Sequence, residues 1–444
     1  MNVFHEISNS VRNRVQIALM KLAAMAGCVC LFITVAQGSS WDSSISSTYP
    51  GGYVTDIKTG FGWVFVTGSG DVYSWGGGPW TTFSDSTTFH VLSKKIVADS
   101  NYVYAFGKGT RADGDHYGLF RWDIYNAVWT QLGSDILPSI DANALALGPD
   151  NYIYFGGQWS GITLPNGQTA NRVARYNLAY TNNTGWDNML GGIPWANESD
   201  QSGVYSIATD SYSSDGILHT IAYIGGQFIF QNTNRNLVVY ESSTQGQKYV
   251  PVTLGNGSSG LSGVGWYYQD CSNDENGVFV NTIVVAPSNG TNDVLIGGNF
   301  EPGVSCNSAG YQGLAKIIRN ANQDKYNTVS WATLYSCDNT CNNCGYADIG
   351  VLSSGGTNRY LAGSFTKWSP FCASTVTSGA NRFGEGTAAG AETFVSAEAF
   401  DINGSGSVIS AISQGTSSTD PIYVGGQFHT LDGVTSPYII RFNP

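Results

Sequence analysis

Charge is scarce in this chain. Asp, Glu, Lys and Arg make up only 12% of its 444 residues, about half the usual globular share. With 20 Lys and Arg against 32 Asp and Glu, the formal net charge is −12. No basic cluster stands anywhere in the sequence, which argues against nucleic acid or an anionic membrane as partner and against ionic ligands in general. Histidine is scarcer still: beyond the first 38 residues only His90, His116, His219 and His429 occur, no two of them close. No His pair therefore suggests a metal. The Gly-x-Ser-x-Gly elbow, the Walker loop and any pair of carboxylates suited to glycosidic work are also missing. Asp113-Gly114-Asp115-His116 spaces two carboxylates as calcium loops do, yet the later ligands and the distal Glu are absent, so it reads as a turn. Asn273-Asp274-Glu275 reads the same way. The sequence names no catalytic, cofactor-binding or metal-ligating residue. After residue 40 no helical period is sustained, and no apolar run is long enough to span a membrane.

What the chain has in abundance is glycine, 56 residues, and aromatics, with 12 Trp, 25 Tyr and 20 Phe. Much of this falls in one recurring stretch. Tyr223-Ile224-Gly225-Gly226-Gln227-Phe228 is the clearest copy, echoed by Tyr154-Phe155-Gly156-Gly157-Gln158-Trp159, Leu295-Ile296-Gly297-Gly298-Asn299-Phe300 and Tyr423-Val424-Gly425-Gly426-Gln427-Phe428. Weaker copies begin at Phe65, Tyr104 and Leu361, making seven. The neighbours recur in order too. An apolar run precedes the motif, as in Ser206-Ile207-Ala208; a strand of the form Val173-Ala174-Arg175-Tyr176-Asn177 follows it, and then often a tryptophan, as at Trp129, Trp186 and Trp331. One repeat is thus three or four short strands between Gly, Asn and Ser turns, the content of a propeller blade. Two successive missing side chains let backbones approach or a bulge form, and the aromatic can fill the wedge between blades.

The expected fold is all-β, a seven-bladed β-propeller occupying 39–444 as one domain. The last repeat ends at Arg441-Phe442-Asn443-Pro444 without its tryptophan strand, while Ser39-Ser40-Trp41-Asp42 stands near the start. Pairing of these N- and C-terminal strands would seal the ring and remove an open edge. Arg121, Arg175 and Arg441 recur at one repeat position, which marks them as structural.

Residues 1–38 read as a signal peptide: Arg12, Arg14 and Lys21 lead into the apolar run 22–36, and Ala36-Gln37-Gly38 offers small residues for cleavage. An uncleaved anchor is the alternative. Beyond it Cys271, Cys306, Cys337, Cys341, Cys344 and Cys372 form an even set. In a secreted chain they read as three disulfides of open connectivity; a zinc site built on Cys337, Cys341 and Cys344 is the rival. Asn182, Asn197, Asn256, Asn289 and Asn403 head glycosylation sequons in polar loops.

Across roughly residues 50–444, in repeat form, the Tyr-Ile-Gly-Gly-Gln-Phe and Val-Ala-Arg-Tyr-Asn motifs resemble those of kelch-like and galactose-oxidase-like propellers. They resemble most of all the extracellular propeller of the fungal cortical polarity-marker proteins. The resemblance implies a secreted or surface propeller that binds without a catalytic constellation. Those proteins are longer and carry a C-terminal membrane span, whereas this sequence stops at Asn443-Pro444, and the copper-ligand motifs of the galactose-oxidase branch have no match here.

The functional expectation is a secreted or cell-surface, non-catalytic glycoprotein that binds an extracellular protein or a cell-wall or matrix polysaccharide through its loops. The most individual loops are 366–391, 337–345 and 160–171, rich in Asn, Ser and Thr that suit neutral sugars. Trp368 reads as packed. The alternative is a secreted carbohydrate-active enzyme, oxidase or glycoside-cleaving, on the propeller's central face.

Overall fold

The computed structural model describes residues 40–68, 71–83, 90–136, 142–194, 203–230, 234–250, 252–254, 262–263, 279–288, 291–299, 314–320, 325–330, 348–355, 358–364, 381–387, 400–401, 408–414, 420–431 and 434–443. Among these residues the chain is built from strands, with one short 3-10 turn at Asn183–Gly185. No helix among them is long and apolar enough to cross a membrane, which leaves spanning by strands unaddressed.

The strands form a β-propeller arrangement of antiparallel meanders in chain order. The first four meanders open with Asp56–Gly60, His90–Ala98, Ala142–Leu147 and Gly203–Ser214, and the last three with Phe279–Ser288, Asp348–Gly355 and Val408–Gln414. Six sheets hold four or more strands; the largest, of ten, contains both the fourth and fifth meanders. These two are joined at their outer edge, where Val252–Leu254 leaves the fourth meander and pairs in parallel with Lys325–Ser330 of the fifth. Among the described residues, seven meanders thus arise from six sheets. The opening strands lie side by side in sequence order, and that of the seventh lies against that of the first.

The second strands carry the repeated motif, and that of the third meander is buried on both faces: Ile153, Tyr154, Phe155, Gly156 and Gly157 are all buried. Neighbouring meanders sandwich it, which removes the polar face that a one-sided sheet would keep. The aromatic after the glycine pair does fill the wedge, with Trp159, Phe228 and Phe428 at most 5% exposed.

The expected pairing of the N- and C-terminal strands is present. Ser40–Asp42 pairs antiparallel with Ile439–Asn443, setting Trp41 opposite Phe442 with ring centroids 4.8 Å apart. Trp129 stands opposite Trp122 and Trp186 opposite Tyr176 in the second and third meanders, so the N-terminal strand supplies the tryptophan that the seventh repeat lacks.

The recurring arginines are structural, as expected. Each faces a tyrosine across the sheet: Arg121 and Tyr104, Arg175 and Tyr154, Arg441 and Tyr423. The buried Arg175 guanidinium donates to Asp187 at 2.8 Å, Tyr154 at 3.1 Å, Asp150 at 3.3 Å and Ser242 of the next meander at 3.0 Å. It also lies 4.1 Å from the Tyr152 ring centroid. The Tyr154 phenol is pushed well above its ordinary pKa by burial, so it stays a donor, to Asp150 at 2.7 Å.

One expected loop is part strand. Within 366–391, Asn381–Thr387 is a full third strand paired along its length with Asn358–Ser364. Its sequence, Asn-Arg-Phe-Gly-Glu-Gly-Thr, is poor in β-formers, and the sheet context overrides that local preference.

Candidate functional site: the bulged mouth of the central channel

The site begins with the glycine pair. A methyl group on Gly225 would lie 2.5 Å from Val280 Cγ1 and 2.9 Å from Ile283 Cδ1 of the next opening strand. On Gly226 it would overlap the carbonyl oxygen of Gly203 in its own sheet. The first glycine therefore admits the neighbouring blade, and the second lets the opening strand fold closely over the motif. At that point the opening strand carries one extra residue. Register shifts fall between Val204 and Ser206, Ala142 and Ala144, Val280 and Thr282, Ile349 and Val351, and Ile409 and Ala411, with a corresponding shift between Ser93 and Ile96. A bulge re-aims the inserted side chain and leaves backbone groups outside the ladder. Neighbouring blades take up some of these: Asp56 Oδ2 accepts from the Ile96 amide at 3.0 Å, and Ser206 Oγ from the Ile283 amide at 2.8 Å.

The inserted residues converge. Asn143, Tyr205, Asn281, Ser410 and the Lys94-Lys95 pair line a central cavity of about 890 Å³, inside the roughly 300–1,000 Å³ range of small-molecule sites. Tyr53, Tyr117, Gln158 and Lys108 complete its polar rim. A narrower cavity of about 280 Å³ is lined by Asp56, Lys58 and Lys95, with several bulge residues common to both. The Ser93 hydroxyl braces the lysine bulge by donating to the Lys95 carbonyl at 2.6 Å and accepting from the Lys95 amide at 3.3 Å. Tyr205 stands edge-on to Phe279, centroids 6.2 Å apart. Lys108 meets Asp115 at 2.7 Å, and that hydrogen bond holds its ammonium above the ordinary lysine value. Lys58 meets Asp56 at 3.4 Å. Four of the chain's nine lysines thus face the two cavities.

No family model matches this chain. No curated protein matches it in sequence. Solved structures resemble it in chain path. The extracellular domain of a putative hybrid two-component system from B. thetaiotaomicron aligns with a TM-score of 0.46 at 12% identity, over 91% of this chain and 40% of that one. The extracellular domain of a putative one-component system from the same organism aligns with a TM-score of 0.46 at 10% identity, over 92% and 40%. The chain spans about 40% of the length of each.

Cys271, Cys306, Cys337, Cys341, Cys344 and Cys372 fall outside the described residues, as do Asn197, Asn256, Asn289, Asn403, Trp368 and the loop 337–345. Asn182 is exposed and caps the 3-10 turn, its Oδ1 accepting from the Thr184 hydroxyl at 2.6 Å. The loop 160–171 folds onto its own blade, with Asn166 Nδ2 donating to the Trp186 carbonyl at 2.6 Å, and contributes nothing to the mouth among the described residues. The Asp113 turn is the tip of a hairpin, where His116 meets Asp113 and Asp135, each at 3.1 Å. Among the described residues no three His, Cys, Asp or Glu are grouped to hold a metal.

The mouth residues were missed because no two of the inserted positions, Lys94 and Lys95 apart, are near in sequence. A signal for them exists. Asn143, Tyr205, Asn281 and Ser410 are each the second residue of an apolar-x-x-apolar stretch before the glycine motif, as in Val204-Tyr205-Ser206-Ile207, Val280-Asn281-Thr282-Ile283 and Ile409-Ser410-Ala411-Ile412, whereas Lys94 and Lys95 sit in the longer Leu92-Ser93-Lys94-Lys95-Ile96.

Proposed function

We propose that the protein is an extracellular, non-catalytic propeller that binds a macromolecular partner, a polysaccharide or glycoprotein, at the mouth of its central channel. The observation that carries this is the makeup of the cavity. A strictly repeated scaffold delivers an unrepeated residue from most blades to one concave surface, and those residues are amides, hydroxyls, phenols and ammoniums. Repetition follows packing, and variation at a convergent point follows recognition. The leader 1–38 supports export, the six cysteines beyond it support three bridges, and Asn182, exposed and preorganised with its sequon threonine, supports glycosylation. Screening the secreted product on glycan and cell-wall fractions, with parallel assays for sugar oxidation and glycoside cleavage, tests the reading. Saturable binding without turnover is expected. Turnover that survives purification and disappears on substituting a mouth residue would replace it with the enzyme reading.

A further inference from the structure

The mouth departs from the charge of the molecule that surrounds it. The chain carries −12 overall, yet among the described residues lining the larger cavity there are three lysines, Lys94, Lys95 and Lys108, and no carboxylate. Asp56 lies with the narrower cavity, where it meets Lys58, and Asp115 meets Lys108 without lining either cavity. All three mouth lysines belong to one hairpin, His90–Ala98 with Tyr102–Arg111, so one side of the mouth is cationic. The inserted residues of the other blades are Asn143, Tyr205, Asn281 and Ser410, uncharged hydrogen-bonding side chains. A concave site with low-dielectric walls focuses such a field and raises the local concentration of anions.

From this we infer that the mouth binds a carboxylated polysaccharide, a chain of uronic acid residues, with Lys94, Lys95 and Lys108 taking the carboxylates. Asn143, Asn281 and Ser410 take ring hydroxyls, and the flat faces of Tyr205 and Tyr117 carry the sugar rings. The inference rests on the mouth being the binding face and departs from the sequence expectation of a neutral sugar. An acidic peptide offers the same charge on flexible stems, and ordering those stems costs more than docking a stiff sugar chain. The cavity holds a short stretch of such a chain, consistent with binding at an end or within a bend.

The test is calorimetric titration of the secreted full chain with four probes: a short oligogalacturonate, its methyl ester, a neutral glucan oligomer and polyglutamate. The free acid is expected to bind, more weakly as salt is raised, and about tenfold or more tighter than its methyl ester. Lys94→Ala with Lys95→Ala should weaken binding about tenfold while leaving the melting curve in place, and Lys95→Arg should keep most of it. Equal binding of acid and ester, indifference to the lysine substitutions, or tighter binding of polyglutamate overturns the inference. Binding of the neutral glucan alone overturns it while the binding-face reading survives. If none of the probes and no cell-wall fraction binds, both fall.

Discussion

Gly226→Ala pushes a methyl group into the Gly203 carbonyl within the same sheet, a clash with backbone that no rotamer change relieves. A loss of roughly 1–3 kcal/mol is expected in denaturant or thermal unfolding. Gly216→Ala is the control: it sits at a hairpin tip with φ of +76° and open space around it, so only the strained backbone counts, about 1 kcal/mol. Arg175→Ala leaves Asp187 and Asp150 without their buried cation and should cost roughly 3–5 kcal/mol, with Arg175→Lys a poor rescue because one ammonium cannot span four partners on two blades. His116 titrates above its ordinary 6.5, chiefly through the Asp113 hydrogen bond and against partial desolvation, with Asp135 adding to it. A raised folded-state pKa means that this hairpin contact stabilises below about 6.5 and fades as pH rises through the folded value. Asp113→Asn should lower the midpoint of the His116 resonance in a proton NMR titration; an unmoved midpoint would contradict the pairing. At this scale the sequence was legible where a residue repeats: Gly225, Gly226 and Arg175 could be read as scaffold. Lys94, Lys95 and Tyr205 could not be read as a site, because what unites them is a bulge, a property of strand register that periodicity does not display.

The closing strand Ser40–Asp42 is the element whose loss is easiest to measure. Deleting 39–50 removes the Trp41 contact with Phe442 and the Asp42 ion pair with Arg441, and exposes the edge of Ile439–Asn443. A clearly lower melting temperature is expected, and an unchanged curve would count against closure as a source of stability. Trp41→Ala alone should cost less than the roughly 3–5 kcal/mol of a fully buried aromatic, since Trp41 is only part-buried. Burial raises the Asp42 carboxyl, but hydrogen bonds from Ser44 and Arg441 outweigh it and hold the pKa below 3.8. A depressed folded-state value means stability that is present above 3.8 and is lost as pH falls through the folded pKa. Asp42→Asn should therefore lower the melting temperature at neutral pH and match the parent once the pH falls below the folded value. This closure was legible because a repeat ended one tryptophan short and the start of the chain held a spare. The strand Asn381–Thr387 was not, because its pairing partner, rather than its own composition, makes it a strand.

Over the whole molecule the repeat was legible and the charge map was not. Twenty basic residues spread along a chain of 444 show no cluster, yet folding brings four lysines to two neighbouring cavities. If the six cysteines beyond residue 38 form three bridges, as we propose, the protein denatured without reductant should alkylate at none of them; six reactive thiols with bound zinc would contradict this. Each bridge is worth roughly 3–4 kcal/mol on the chain-entropy account.

The pairing of Ser40–Asp42 with Ile439–Asn443 also fixes how the molecule responds to force. Ser40 stands opposite Asn443, so both ends of the described chain leave the ladder side by side at the same end of one strand pair. Tension applied between those ends peels the two strands apart one hydrogen bond at a time instead of loading the whole ladder in shear. Anchored through both ends and pulled apart, the ring would open early and softly at this seam.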